Sequence, residues 1–215
     1  VAGQPEIPLL FISNNNRYIV IITDKQQWNF RLTSDGPKYR TGTKKLVELR
    51  EVPAFGWEDN PKFGSGRGYI WSRTIPMFKD TLILGHGADT YCIYFPNDDY
   101  VGKYNDFSDN INIIVDKPHN LYFGYIVGTG AVSVLALLVL WLTYNVQSFA
   151  IYRRSRFADF LSFTGAGVFL GICGFLTTGV VDDSSVSVMP MFYTLLGTGI
   201  AINIMMKGSF EKSLN

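Results

Sequence analysis

The sequence predicts an α-helical polytopic membrane protein with three transmembrane helices in this chain and an extracytoplasmic α+β region containing a small antiparallel sheet. Two observations carry this prediction. No Asp, Glu, Lys or Arg occurs between Lys117 and Arg153. From residue 121 onwards, three apolar runs approach the length of ~20 residues that spans the hydrocarbon of a bilayer. In the first fifty residues, short apolar or alternating runs separated by turn residues are typical of strands.

The N-terminal segment accounts for the predicted sheet and a linker. Strands are predicted at 9–13, 18–23, 28–33 and 46–49, with 38–41 as a further edge. Turn residues separate them at 14–16, 24–25 and 34–37. Residues 51–66 contain two prolines and three glycines, which predicts a linker. We therefore expect a β-rich outer region with its linker over residues 1–64.

Residues 65–118 predict an outer loop region with an amphipathic helix and substrate-binding loops. From Arg67 the side chains follow a helical period, with Trp71, Ile75 and Phe78 on an apolar side. Pro76 is expected to kink this helix or to begin a second one. The loop-like stretch over 84–110 is too long for a simple connector, and long ordered loops commonly bind ligands.

Residues 119–215 predict a membrane domain with spans at about 121–150, 160–181 and 189–206. Arg153, Arg154 and Arg156 cluster in the first connection, which places that loop in the cytoplasm. The second connection carries Asp182 and Asp183 but no basic residue, and so faces outward. By alternation, residues 1–118 are extracytoplasmic and the C-terminus is cytoplasmic.

Composition excludes some classes of function. A net charge of +1 argues against a nucleic-acid partner. Cys92 lies in the outer segment and Cys173 in a span, so they give no disulfide framework. Neither an initiator Met nor a signal peptide precedes the outer region, which leads us to expect a fragment lacking upstream helices. Glycines in the first two spans predict close helix packing.

Two stretches together resemble a known family. They are SGRGYIWSRTIPMFKDTLILGHGADTY over 65–91, continuing through 95–105, and VDKPHNLYFGYIVGTG over 115–130. An Arg-led helix, a Gly-x-Gly turn and a His-Asn pair before a transmembrane helix resemble the O-antigen ligase and polymerase superfamily. The likeness covers about 65–206 and is nearest to Gram-positive members, which carry a β-rich insertion in the outer loop. His86 departs from the small residue usual within the Gly-x-Gly turn.

This resemblance implies a membrane glycosyltransferase of the C type that ligates or polymerises undecaprenyl-diphosphate-linked glycans on the outer face. It implies no metal and no cofactor. The implied partners are the lipid-linked saccharide donor, a glycan or protein acceptor, and the lipid bilayer. The resemblance does not separate ligase from polymerase. It implies that this chain is the C-terminal part of the fold, with the outer loop and the last three helices, and not a complete enzyme alone.

The reaction needs a base and a group that binds diphosphate. His119 is the candidate general base, since imidazole is largely neutral near pH 7; a histidine that anchors a helix end at the interface is the alternative. The resemblance favours Arg67 for the diphosphate, which an arginine can hold with two hydrogen bonds. Arg73 is a second candidate, although an ion pair with Asp80 or Asp89 would explain it equally well.

Other substrate-binding candidates are Asn120, Asp89 and Tyr91. Asn120 either orients the imidazole or caps the following helix. Asp89 is either an acceptor-binding group or a solvated loop acid, and Tyr91 belongs to an aromatic loop that could stack on sugars or simply pack. With Asp98 and Asp99, Asp89 also invites a calcium interpretation, but the spacing matches no standard loop, and we expect no metal.

Two other functions remain as alternatives. One is a non-catalytic membrane protein whose outer β-domain recognises a cell-surface partner or glycan. The other is a transporter or flippase subunit, which we rank last because the spans contain no charge except near their ends.

Overall fold

The computed structural model of the protein describes residues 9–13, 17–23, 26–107 and 110–214. They divide into two compact units. The sheet unit comprises the described residues up to Met77 together with Cys92–Asp116, and the membrane unit comprises Phe78–Tyr91 together with the chain from Lys117 onwards. The turns predicted at 14–16 and 24–25 lie outside the described residues.

The sheet unit contains the predicted small antiparallel sheet, which is confirmed. Five strands pair in sequence order: β1 (Leu9–Ser13), β2 (Tyr18–Ile22), β3 (Gln27–Thr33), β4 (Gly36–Arg40) and β5 (Leu46–Val47). The segment expected at an edge is β4, which pairs with both β3 and β5. Gly36 pairs opposite Thr33 with a φ of 108°, a left-handed conformation that favours glycine at the tight turn.

An aromatic cluster covers this sheet. Trp28 and Tyr39 are buried with Ile111, and the rings of Tyr100 and Tyr104 pack against them. These tyrosines belong to short elements that follow α2 (Tyr91–Tyr94): α3 (Tyr100–Gly102) and a π-helical turn over Lys103–Phe107. The residues around position 100 therefore complete the core of the sheet unit.

Helix α1 (Phe63–Thr74) leads into a 3-10 segment, Ile75–Asp80. Its first turn is irregular because residues 64–66, Gly-Ser-Gly, have left-handed backbone angles, and the regular helix starts at Arg67. All residues from 68 to 74 are buried. This part of the predicted amphipathic helix is therefore enclosed on every side, whereas Arg67 and the 3-10 segment are not fully buried. Pro76 lies within the 3-10 segment, as its missing N–H favours a change of helix type.

The membrane unit contains α4 (Leu121–Thr129), α5 (Ala131–Tyr152), α6 (Phe160–Thr178) and α7 (Met189–Leu214). In the part of the chain that the structure describes, three stretches are long and apolar enough to cross a membrane: Ala131–Tyr152, Phe160–Thr178 and Met189–Gly208. The three predicted membrane helices are thus confirmed. The run predicted as one helix over 121–150 is two helices, because Gly130 has φ 93° and ψ 156° and interrupts the backbone hydrogen bonding.

Polar side chains and one glycine hold α5, α6 and α7 together. Tyr152 donates from its hydroxyl to Asn203 Oδ1 at 2.9 Å, and Asn203 Nδ2 donates to Ser148 Oγ at 2.8 Å. A Cβ on Gly165 would overlap the Tyr152 hydroxyl and press on Ile202. Gly165 therefore allows the close helix packing that is predicted for the glycines of the spans. At positions 167, 171 and 174 of α6 a Cβ would meet no atom of the described residues within 4 Å.

Candidate active site

His119 lies in the membrane unit, two residues before α4, in a constrained conformation. Its φ of 49° is left-handed, which is uncommon for residues other than glycine, although histidine adopts it more readily than most. Pro118 before it is buried, and Asn120 after it is extended. Backbone strain of this kind persists only where the surroundings fix it. The contacts of His119 with the loop after α6 supply that restraint.

Asp183, in the connection between α6 and α7, holds both the backbone and the side chain of His119. Its Oδ2 atom lies 2.9 Å from His119 Nδ1 and accepts the His119 backbone N–H at 3.0 Å. Its Oδ1 atom accepts the Asn120 backbone N–H at 3.2 Å. The Asp183 side chain is 12% exposed, whereas that of His119 is 42% exposed. A largely buried carboxylate therefore orients an accessible imidazole.

Two helix ends fix this pair in place. Asn120 Oδ1 caps α4 by accepting the Phe123 N–H, and its Nδ2 donates to the Val180 carbonyl. The Leu121 N–H donates to the Gly179 carbonyl at 2.7 Å. The last backbone carbonyls of a helix have no hydrogen-bond donor within that helix. The start of α4 supplies such donors to the carbonyls at the end of α6. Asn120 thus caps α4 and joins it to α6.

The hydrogen-bond geometry defines which nitrogen of His119 can act as a base. A carboxylate that accepts from Nδ1 favours the tautomer with its proton there, so the lone pair of the neutral ring lies on Nε2. A carboxylate in this position also stabilises the imidazolium that forms when Nε2 takes up a proton. The arrangement is therefore suited to general-base catalysis at Nε2.

Burial and local donors act in opposite directions on Asp183. Burial raises the pKa of the Asp183 carboxyl, while His119 and the two backbone N–H groups oppose that rise. The carboxylate also lies at the N-terminus of α4, where the helix dipole favours negative charge. These donors offset part of the effect of burial, although the pKa of the Asp183 carboxyl remains above its ordinary value.

The same residues could hold a cation. Ligand atoms of His119, Asp182 and Asp183 all lie within 4.8 Å of one another. A metal bound through Nδ1 would compete with the hydrogen bond from that nitrogen to Asp183. Since the carboxylate already accepts two backbone N–H groups, the observed contacts are those of an acid–base pair, and we assign no metal.

The Gly-x-Gly turn, residues 85–87, packs against the break between α4 and α5. The backbone N–H groups of His86 and Gly87 donate to the carbonyls of Val127 and Gly128, each at 2.9 Å. A Cβ on Gly85 would overlap the backbone of Gly128. This glycine therefore permits close approach to the end of α4. His86, the middle residue of this turn, is half-buried and donates its backbone N–H to this end of α4.

The two candidate arginines, both in the sheet unit, have different surroundings. Arg67 is half-buried, and its Nη1 donates to the Gly64 carbonyl at 2.7 Å. Arg73 is buried, with Nε 3.1 Å from Asp99 Oδ2 and Nη2 3.3 Å from Asp106 Oδ2. An ion pair does engage Arg73, but its partners are not Asp80 or Asp89 as considered above.

The remaining candidates occupy different environments. Asp89 lies on an exposed turn with φ 55°, and Tyr91 is 7% exposed at the start of α2. Asp98, considered as a calcium ligand, accepts a hydrogen bond from Arg50 at 2.9 Å. The sheet unit also has an open pocket of about 490 Å³. Its polar lining includes the side chains of Arg50, Glu51, Glu58, Arg73, Asp99, Asn105 and Asp106.

Asp183 is the functional candidate that the sequence analysis did not assign to the site. In the sequence, Asp183 is recognisable only as an acidic residue in a short loop between two spans, and this position indicates topology rather than catalysis. It lies 64 residues from His119 along the chain, so no local motif joins the two. A carboxylate in the loop predicted to face outward, on the same side as the candidate base, was the available signal.

Comparison with known proteins agrees with the resemblance. A family model described as O-antigen ligase matches residues 9–139, which include the sheet, α1, the Gly-x-Gly turn and His119. No curated protein and no solved structure matches the chain. The match begins earlier than the likeness expected over 65–206, so it includes the β-rich region, and Asp183 lies beyond it. Since it covers more than half of the sequence, the chain belongs to the O-antigen ligase family.

Proposed function

We propose that this chain forms part of a glycosyltransferase that transfers an undecaprenyl-diphosphate-linked glycan to a hydroxyl acceptor, with His119 as general base. The observation that carries the proposal is the 2.9 Å contact between His119 Nδ1 and Asp183 Oδ2, with the ring 42% exposed. Membership of the family supports the reaction type. The acceptor is a sugar or protein hydroxyl, so the proposal covers both ligation and polymerisation.

The proposed step begins when the acceptor hydroxyl oxygen attacks the anomeric carbon of the donor sugar. Its proton passes to Nε2 of His119 as the new carbon–oxygen bond forms. The bond from the anomeric carbon to the diphosphate breaks, and its electron pair remains on the diphosphate oxygen. Asp183 stabilises the imidazolium formed in this step.

The departing diphosphate needs positive charge. We propose Arg67 for this role because the resemblance assigns it there, and a guanidinium can bind two phosphate oxygens while remaining charged. Arg73 is less suited to this role, since two carboxylates already surround its guanidinium. Asp89 and Tyr91 remain proposed acceptor-binding residues.

We propose that His119 faces the outer side of the membrane. Arg153, Arg154 and Arg156 follow α5, and the loop that carries Asp182 and Asp183 contains no basic residue. The distribution of positive charge therefore favours a cytoplasmic α5–α6 connection and an outer α6–α7 connection. This orientation would place His119 on the side where lipid-linked glycans are presented.

The proposal is tested by His119→Ala in purified protein reconstituted with a lipid-linked glycan donor and acceptor. We expect a loss of about 10²–10⁴-fold in the transfer rate, the range for general-base catalysis. His86→Ala, which changes the only other histidine of the chain, is the matched control and should retain most activity. Undiminished transfer by His119→Ala would exclude His119 as the base and favour a recognition role for the outer region.

A further inference from the structure

Leu82, Ile83 and Leu84 form a segment of three large apolar side chains in the membrane unit. They are 60%, 73% and 77% exposed. Single exposed apolar residues are common on soluble surfaces, but consecutive ones indicate contact with an apolar partner. The segment lies between the 3-10 segment and the Gly-x-Gly turn.

Hydrogen bonds on both sides fix this segment at the start of a membrane span. The Thr81 carbonyl accepts the Ala131 N–H at 3.0 Å, and the His86 N–H donates to the Val127 carbonyl at 2.9 Å. A Cβ on Gly130 would lie 2.5 Å from the Ile83 carbonyl oxygen. The backbone of residues 81–86 therefore lies directly against the junction between α4 and α5.

The apolar surface of α5 begins at this junction. Ala131 is the first residue of a membrane-spanning helix, and Val132 and Leu135 are 58% and 63% exposed. Around the helix break at Gly130, the backbone groups of the neighbouring residues form hydrogen bonds with the backbone of residues 81–87. Irregular backbone close to hydrocarbon requires such pairing, since no water is present to replace it.

From these contacts we propose that Leu82–Leu84 inserts into the bilayer beside the start of α5, with lipid acyl chains as its partner. Exposed Lys79 and Asp80 precede the segment, and exposed Asp89 follows it. These charged residues favour the interface and limit insertion to a short loop. The segment thereby anchors the break between α4 and α5 at the membrane surface, whichever face of the membrane this is.

Site-directed spin labelling tests the proposal. Cys92 and Cys173 are replaced by serine, and a nitroxide is attached at Leu84→Cys in protein held in lipid nanodiscs. Collision of the label with oxygen, which concentrates in hydrocarbon, is compared with collision with a water-soluble nickel chelate. Two exposed reference sites calibrate the scale: Val139→Cys in the middle of α5, 65% exposed, and Glu48→Cys in the sheet unit, 74% exposed.

We expect the oxygen-to-nickel ratio at position 84 to resemble that at position 139 and to exceed that at position 48 several-fold. A ratio equal to that at position 48 would place the segment in water and overturn the proposal. Protection from both reagents would also overturn it, since the segment would then contact protein, including a second copy of the chain. Ile83→Cys repeats the measurement at an independent position in case the first label perturbs the loop.

Discussion

At the scale of single residues, the two arginines of α1 differ in what they bind. Arg73 uses its whole guanidinium inside the sheet unit: Nη1 donates to Ser72 Oγ at 2.9 Å, in addition to the contacts with Asp99 and Asp106. It also lies 4.3 Å from the centre of the Tyr69 ring. These contacts indicate a structural role for Arg73, and Arg67 remains the residue that we propose for the diphosphate.

We therefore predict opposite effects for the same substitution at these positions. Arg73→Gln leaves Asp99, 3% exposed, without its cation, and should lower the free energy of unfolding by about 3–5 kcal/mol. Arg67→Gln should change stability by at most about 1 kcal/mol while reducing transfer activity. Thermal melting followed by tryptophan fluorescence, combined with the transfer assay, distinguishes the two. Equal melting temperatures for the two variants would contradict the assignment.

Lys103 is a second residue whose environment is set by folding. It is 1% exposed, and its Nζ donates to the carbonyls of Asn97 at 2.7 Å and Ile113 at 2.6 Å. Burial lowers the pKa of Lys103 to about 8 from its ordinary 10.5, despite the nearby carboxylates. The charged form of Lys103 is therefore less favourable in the folded chain than in the unfolded chain, although its Nζ links the backbone at Asn97 to that at Ile113.

This shift predicts that the contribution of Lys103 to stability increases with pH. Between the folded pKa of about 8 and the unfolded value of 10.5, the unfolded chain binds more protons, so the free energy of unfolding rises with pH. Each unit of pKa shift corresponds to about 1.4 kcal/mol. Melting curves between roughly pH 8 and 10 should show the rise, and Lys103→Met should flatten it. An unchanged slope in the variant would contradict this account.

At the scale of elements, the break between α4 and α5 is the feature that most changes the predicted fold. A helix over 121–150 would exceed the roughly 30 Å of hydrocarbon in a bilayer, but the sequence analysis predicts it as a single span. The glycines at 128 and 130 were interpreted as packing residues. Their actual role depends on residues 81–87, more than forty positions earlier, and local sequence does not reveal such a contact.

Glycine substitutions separate this role from ordinary helix packing. Gly130→Ala places a Cβ 2.5 Å from the Ile83 carbonyl oxygen at a position with φ 93°. We expect it to destabilise the membrane unit by about 1–3 kcal/mol. Gly171→Ala, in the interior of α6 with nothing within 4 Å, should be neutral or stabilising by up to about 1 kcal/mol. Melting of both variants in detergent measures this, and similar losses would contradict the close-approach explanation.

At the scale of the whole molecule, elements defined by local patterns were the ones that the sequence analysis predicted. The antiparallel strands follow from alternating residues and nearby turns, and the membrane helices follow from long apolar runs. The contacts that organise the candidate site join distant residues. His119 and Asp183 are 64 residues apart, and Arg73 lies 26 and 33 residues from its carboxylate partners. Only folding brings such residues together, so composition and spacing could name His119 but not its partner.

The two units also differ in what they contribute to the proposed function. The membrane unit contains the His119–Asp183 pair, which joins the start of α4 to the loop after α6. The sheet unit contains Arg67 and the open pocket. The family match extends over the sheet unit and over the membrane unit as far as residue 139. Asp183 lies outside this match, so the evidence for its pairing with His119 comes only from the structure of this chain.

The central claim, that His119 and Asp183 act as one catalytic unit, is tested most directly by a double-mutant cycle on the transfer rate. Asp183→Asn should reduce the rate by about 10²–10⁴-fold, and adding it to His119→Ala should cause little further loss, because residues that act together are not additive. Asp182→Asn, one position earlier and exposed, is the matched control and should retain activity. Full activity in Asp183→Asn, or losses that multiply in the double variant, would contradict the claim.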